Sequence, residues 1–164
     1  MNKNIVSSVI VSAVVALLIM TGVALAATTF GTSGNDTIDG TAGRDTLVGK
    51  RGNDTLNGLG ESDRLHGRHG NDILNGDAVD TLGKAAGQSG NDMLDAGMGN
   101  DTANGGDGND RVFGRPGNDN VDGGSGNDFV VGGMGADNVV GGEGDDKLYG
   151  RPGNDSIDGG TGND

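Results

Sequence analysis

The chain has 164 residues, of which 36 are glycine, three are phenylalanine and one is tyrosine, and its formal net charge at pH 7 is −13. This composition excludes an ordinary globular domain, whose core needs many more bulky apolar side chains, and also collagen, because only two prolines are present. The acidic surplus argues against nucleic acid and anionic membranes as partners, since both bind surfaces rich in lysine and arginine.

Residues 1–26 have the pattern of a secretory signal peptide. Lys3 precedes a long apolar run, and Ala24 and Ala26 stand at the usual cleavage positions. We therefore predict cleavage after Ala26 and a secreted, extracellular product, with periplasmic or cell-surface retention left open and no membrane association after cleavage. The alternative is an uncleaved anchor over residues 5–26, which is long enough to span a bilayer.

The rest of the chain repeats every nine residues. The first block covers residues 31–75 in five units, and the second covers residues 87–164 in eight units and a partial one. Residues 76–86 between them are out of phase and are predicted to form an irregular loop with one decayed unit. Cysteine is absent, so neither disulfides nor thiolate metal sites contribute.

Each unit has the form Gly-(Gly or other)-x-Gly-x-Asp-x-apolar-x. Position 8 is apolar in every complete unit, from Ile38 to Ile157. Position 6 is always aspartate: Asp36, Asp45, Asp54, Asp63, Asp72, Asp92, Asp101, Asp110, Asp119, Asp128, Asp137, Asp146, Asp155 and Asp164. Turn formation alone does not require aspartate at one phase throughout, so the pattern favours metal binding over solvated turns.

This nonapeptide resembles that of the repeats-in-toxin (RTX), or hemolysin-type calcium-binding, family over residues 31–164. The resemblance implies an all-β fold, a calcium-dependent parallel β-roll with 18 residues per coil, in which several Ca²⁺ ions are the cofactors. It also implies that the position-6 aspartates of units n and n+2 ligate calcium with carbonyls of the turns. The pairs carried over are 36/54, 45/63, 54/72, 92/110, 101/119, 110/128, 119/137, 128/146, 137/155 and 146/164.

Physical chemistry supports this arrangement. Glycine at positions 1, 2 and 4 allows sharp turns, asparagine at position 5 is expected to tolerate left-handed geometry, and positions 7–9 are expected to form a short strand. Carboxylates stacked at about 4.8 Å repel one another, whereas Ca²⁺ accepts six to eight oxygen ligands. Glu61 replaces glycine at position 4, and position 2 is never glycine in the first block. We therefore expect the second block to bind calcium better.

The aromatic residues of the second block fall on one outer face of the predicted roll. Phe113 and Tyr149 share a column with Val131, and Phe129 lies on the same sheet. Two interpretations remain open: the aromatic side chains stiffen a thin sheet, or they form a surface for self-association or partner docking.

The repeats carry no catalytic constellation. His66 and His69 lack the spacing of a zinc hydrolase, and no nucleophile elbow or phosphate loop is present. We therefore predict a secreted, non-enzymatic calcium-binding protein that folds on binding Ca²⁺. The alternatives are a structural or adhesive surface protein that assembles through its aromatic face, and the calcium-binding remnant of a longer secreted toxin or hydrolase.

Overall fold

The computed structural model describes residues 26–77 and 90–164. Residues 1–25 of the predicted signal peptide and most of the predicted 76–86 loop therefore lie outside the described residues. In the described part no helix is long and apolar enough to cross a membrane. It contains fourteen strands: β1 Thr28–Phe30, β2 Thr37–Asp39, β3 Thr46–Arg51, β4 Thr55–Asn57, β5 Arg64–His69, β6 Ile73–Asn75, β7 Met93–Met98, β8 Thr102–Asp107, β9 Arg111–Pro116, β10 Asn120–Ser125, β11 Phe129–Met134, β12 Asn138–Glu143, β13 Lys147–Tyr149 and β14 Ser156–Thr161.

These strands form two parallel sheets of seven strands each. The odd-numbered strands make one sheet in the order β1-β3-β5-β7-β9-β11-β13, and the even-numbered strands make the other. Each strand pairs with the next but one, so that successive units alternate between the sheets. Val121 pairs with Val139 and with Ala103, a register step of one 18-residue coil. The predicted all-β parallel β-roll with two units per coil is therefore confirmed.

The sheets continue across the interruption between the two predicted blocks. Leu65 pairs with Leu94, and Leu74 pairs with Ala103. The coil step is here 29 residues instead of 18. The extra residues therefore leave the register unchanged, and the described residues form one continuous solenoid.

Several strands are longer than the three residues predicted at positions 7–9, and one strand was not predicted. The strands of the central coils have six residues, as in β7, and reach position 3 of the next unit. Upstream of the first predicted unit, Thr29 of β1 pairs with Leu47 and is 8% exposed. The sequence offers no signal for β1, because neither the glycines nor the aspartate of a turn precede it.

The core is one column of position-8 side chains between the sheets. From Ile38 to Val139 these side chains are 0–1% exposed, whereas their neighbours at positions 7 and 9 are half-buried or exposed, except Val48, which is 4% exposed. Burying one valine or leucine side chain contributes about 1.5–3 kcal/mol. Ile157 is 51% exposed because β14 is the last strand of its sheet. One aliphatic residue in nine makes a narrow core, so the turns matter for stability.

Candidate metal centre

Positive backbone φ angles occur at position 2, position 4 or both in most of the turns. Gly124 and Gly126 have φ of +107° and +133°, and Lys50 and Arg115 adopt +90° and +86° at position 2. This is the left-handed region, which glycine enters without steric penalty. The expectation that asparagine at position 5 adopts it is wrong for the described residues, because none of these asparagines has a positive φ.

The position-5 side chains instead join neighbouring coils. The N–H of Asn127 donates to Oδ1 of Asn109 at 2.8 Å, and the N–H of Asn118 donates to Oδ1 of Asn100 at 2.8 Å. Repetition of the bond along the roll satisfies backbone donors that a turn would otherwise leave unpaired. Sequence reasoning missed this ladder, although the recurrence of asparagine at position 5 was its signal.

The position-6 aspartates are buried inside the turns. From Asp36 to Asp146 they are 1–4% exposed, while Asp155 is half-buried and Asp164 is exposed in the last coil. One carboxylate oxygen of each pair bridges two coils: the N–H of Asp110 donates to Oδ1 of Asp128 at 2.7 Å. Twelve such bonds, of 2.7–3.0 Å, stack the aspartates along the described residues.

All ten predicted aspartate pairs are adjacent in the structure. Two further pairs span the interruption. The N–H of Asp63 donates to Oδ1 of Asp92 at 2.7 Å, and the N–H of Asp72 donates to Oδ1 of Asp101 at 2.7 Å. They were not predicted, because 18-residue spacing cannot identify neighbours across an insertion. Adjacency is a matter of geometry, and the role of these aspartates as metal ligands stays a prediction.

The second carboxylate oxygen of these aspartates has no hydrogen-bond donor. Oδ2 is buried and unpartnered in ten of them: Asp54, Asp63, Asp72, Asp92, Asp101, Asp110, Asp119, Asp128, Asp137 and Asp146. Buried polar atoms in native proteins are nearly always hydrogen-bonded. These ten oxygens lie at one position of a repeat, so they can all accept the same kind of electropositive partner.

In nine of the ten units the orphaned oxygen faces a position-1 glycine, and in seven of these a carbonyl oxygen of the neighbouring coil also lies against that glycine. A Cβ atom on Gly123 would lie 2.5 Å from Oδ2 of Asp128 and 2.7 Å from the carbonyl oxygen of Gly141, in the next coil. The two oxygens are therefore within about 5 Å of each other, a separation that two ligands of one Ca²⁺ can have. We call this space, between a position-1 glycine, the position-6 carboxylate of its unit and the carbonyl of the next coil, a cleft.

The clefts fit a calcium ion chemically. Their donors are hard oxygens, carboxylate and carbonyl, which Ca²⁺ prefers, and nitrogen and sulfur ligands are not involved. Among the described residues no three His, Cys, Asp or Glu side chains are grouped to hold a metal by themselves. An ion in a cleft would accordingly take its further oxygens from the backbone of the turns or from water.

The environment of the clefts raises the pKa of the position-6 carboxyl groups from Asp54 to Asp137. Desolvation is the main cause, and neighbouring aspartates add to it, against the lowering effect of the backbone N–H bond. The pKa of Asp63 rises to about 8, and that of Asp110 to about 7. Asp77, which is not a position-6 residue, contributes to the raised pKa of Asp63, Asp92 and Asp110.

The first coil satisfies its carboxylates without an ion. The hydroxyl of Thr32 donates to Oδ2 of Asp36 at 2.9 Å, and the hydroxyl of Thr41 donates to Oδ2 of Asp45 at 3.0 Å. The backbone N–H of each threonine donates to the same oxygen. Lys50 Nζ further donates to the carbonyl of Gly31 at 2.6 Å. Asp36 and Asp45 therefore differ from the ten orphaned carboxylates, a distinction that the sequence analysis did not make.

The fold and the clefts define a solenoid repeat protein in which an oxygen-lined cleft recurs from turn to turn. The family profile described as RTX calcium-binding nonapeptide repeat (4 copies) matches in six segments, residues 30–60, 48–80, 85–103, 95–130, 104–139 and 131–164. The chain belongs to this family, whose repeats bind calcium. No curated protein and no solved structure matches the chain.

Proposed function

We propose that this chain is a secreted, non-enzymatic calcium-binding protein whose roll forms when Ca²⁺ enters the clefts. The observation that carries the proposal is the set of ten buried Oδ2 atoms without donors. An unsatisfied buried acceptor costs about 1–3 kcal/mol, and more when it is charged. Ten of them together would outweigh the roughly 5–15 kcal/mol by which a typical domain is stable. When its aspartates are ionised and no metal is bound, the roll is therefore not expected to be stable.

Calcium reverses this balance, and its concentration differs across the cell boundary. Extracellular calcium modules bind with dissociation constants of about 10⁻⁴–10⁻³ M, so such a chain stays unfolded where calcium is scarce. The apolar residues 1–26 support export, and repeats fill nearly all of residues 31–164. The chain is thus proposed to cross its membrane unfolded and to fold on the calcium-rich side.

Circular dichroism tests this proposal directly. The protein is recovered outside the cells that export it, with its N-terminus expected at Ala27, and is titrated with CaCl₂ at pH 7.5. We expect a coil spectrum without calcium and a β spectrum at about 1 mM, in a cooperative transition. MgCl₂ is the control, because Mg²⁺ demands a tighter octahedral shell and should induce little structure. A coil that persists at about 10 mM calcium would contradict the proposal.

A second candidate function is assembly through the aromatic face. The ring centroids of Phe113 and Phe129 are 6.0 Å apart, and those of Phe129 and Tyr149 are 5.4 Å apart. Arg115 and Arg151 lie over the first and last rings at 5.2 and 5.4 Å. Phe113 and Phe129 border a groove of about 540 Å³. An apolar surface flanked by cations on an acidic protein favours contact with another acidic surface, including a second copy of the chain.

The triple variant Phe113→Thr, Phe129→Thr, Tyr149→Thr separates assembly from stiffening of the sheet. If the face mediates assembly, the wild type sediments as an oligomer in calcium, and the variant sediments as a monomer that binds calcium equally well. Phe30→Thr is the matched control, since Phe30 is an exposed aromatic residue of the same sheet at the far end. A monomeric wild type, or an oligomeric triple variant, would contradict this candidate.

A further inference from the structure

The unit that contains Asp92 is assembled from two stretches on either side of the interruption. The N–H of Gly76 donates to the carbonyl of Asn104 at 2.9 Å, and the N–H of Asp77 donates to that of Gly105 at 3.1 Å. These are the contacts of positions 1 and 2. The nine-residue pattern predicts that this unit begins at Gly87, whereas in the structure Gly76 faces the carboxylate of Asp92.

This composite unit contains a complete cleft. A Cβ atom on Gly76 would collide with both Oδ2 of Asp92 and the carbonyl oxygen of Gly105. Asp92 is 2% exposed, and its Oδ2 has no hydrogen-bond partner. The cleft at the interruption therefore offers the same carboxylate and carbonyl oxygens as those of the uninterrupted units.

Asp77 adds a carboxylate at position 2, where no other unit carries an acidic residue. Its Oδ2 accepts hydrogen bonds from the N–H of Asp107 at 3.1 Å and from that of Gly90 at 3.4 Å. Its Oδ1 is buried and has no partner. One oxygen therefore holds the side chain against the turn, and the other is left for a ligand.

Thr41 shows where a position-2 side chain of this kind lies. Its hydroxyl accepts the position-4 N–H of Gly43 at 3.1 Å, as Asp77 accepts that of Gly90, and also lies 3.0 Å from Oδ2 of Asp45. In that unit a hydroxyl donor satisfies the position-6 carboxylate. In the interrupted unit a carboxylate accepts the corresponding position-4 N–H in place of this hydroxyl, and an ionised carboxylate has no proton to donate to Asp92.

We propose that Asp77 and Asp92 together bind a calcium ion across the interruption, and that this two-carboxylate site is the tightest of the roll. This inference rests on the proposed function and extends it to a residue outside the nonapeptide pattern. Calcium affinity rises with the number of charged ligands, and this cleft offers one carboxylate more from its own unit than the others do. The ion would fasten Gly76 and Asp77 to the stretch that begins at Gly90, and so join the two halves of the roll.

The test is a calcium titration of the purified wild type and its variants. Binding is measured by calorimetry and, independently, by flow dialysis with radioactive calcium. In Asp77→Asn we expect the first ion to bind roughly tenfold more weakly and the number of bound ions to fall by one at low calcium. Asp77→Thr copies the Thr41 arrangement, so it should lose the same ion while the calcium-saturated circular dichroism spectrum is retained. Asp107→Asn is the control, because it removes an exposed charge beside Asp77 but keeps the backbone donor.

The outcomes separate this inference from the proposed function. A wild type that binds no calcium overturns both. If the wild type binds calcium, and both Asp77→Asn and Asp77→Thr bind the first ion as tightly and bind as many ions as the wild type does, only the inference is overturned. An equal loss of affinity in Asp107→Asn would also overturn it, since the effect would then reflect general charge and not ligation.

Discussion

In calcium-free buffer, acid should fold the roll, and raising the pH should unfold it. The cleft carboxyl groups have an ordinary pKa of 3.8, but desolvation in the folded roll raises the pKa to about 6 for Asp54, Asp119 and Asp128, to about 7 for Asp92, Asp101 and Asp110, and to about 8 for Asp63. Between pH 4 and these values the folded chain holds protons that the unfolded chain has released. The free energy of unfolding therefore decreases as the pH rises through this window.

The expected result is a β spectrum at pH 5 and a coil spectrum above pH 8, with the loss occurring between about pH 6 and 8. Far-UV circular dichroism in metal-free buffer measures it. Calcium at pH 8 should restore the β spectrum, because the ion takes the place of the protons, and more calcium should be needed at pH 6, where protons compete. A metal-free roll that becomes more stable as the pH rises would contradict this account.

Asp110→Asn provides the matched variant for this prediction. An amide is isosteric with the protonated acid, and its N–H₂ can donate to the carbonyl of Gly123, which the carboxylate oxygen faces. We expect the metal-free transition to shift to higher pH and calcium binding at that cleft to be lost. Asp158→Asn removes an exposed charge instead and should leave both unchanged.

Closing a cleft with a single methyl group should abolish its ion and destabilise the roll. A Cβ on Gly123 would meet the carboxylate of Asp128 and the backbone carbonyl of Gly141 at 2.5 and 2.7 Å, distances that real Cβ atoms essentially never show. The carbonyl belongs to the next coil and cannot move without disturbing the parallel ladder. Overpacking of this kind typically costs about 1–3 kcal/mol.

Gly34→Ala is the control for Gly123→Ala, because a Cβ on Gly34 would have only the hydroxyl of Thr32 nearby, at 3.8 Å. Glycine-to-alanine replacement at such a site stabilises slightly by restricting the unfolded chain. Calorimetric titration should show one ion fewer in Gly123→Ala and an unchanged number in Gly34→Ala. Equal calcium numbers and equal thermal midpoints in the two variants would contradict the cleft as the binding site.

At Ala96 the natural sequence already carries the methyl group that Gly123→Ala would add. This alanine occupies position 1 of the unit with Asp101 and is fully buried. We expect its methyl group to obstruct that cleft, so Ala96→Gly should gain one bound ion, although the added glycine loosens the unfolded chain. The same calorimetric titration measures the gain. A variant that binds no additional calcium would show that the methyl group leaves the cleft open.

Much of the architecture was predictable because the chain repeats. With aspartate at one phase and an aliphatic residue two positions later, the pairing of Val121 with Val139 and the stacking of Asp110 on Asp128 follow from an 18-residue coil. The interruption breaks the 18-residue spacing, so the contact of Asp63 with Asp92 could be identified only from the folded structure. Periodicity identifies neighbours only while the period holds.

The sequence by itself determined the unit, its core position and the carboxylate that each turn presents. Tertiary structure alone decided which oxygen of each carboxylate is bonded and which is orphaned. It also decided that Thr32 and Thr41 satisfy their aspartates, whereas the charge of Asp77 adds to the raised pKa of Asp92. The physical reason is that the nine-residue spacing of residue types along the chain decides which positions of each unit are buried. Hydrogen-bond satisfaction, in contrast, depends on the donors that neighbouring coils and position-2 side chains bring to each oxygen, which becomes definite only when the coils are stacked.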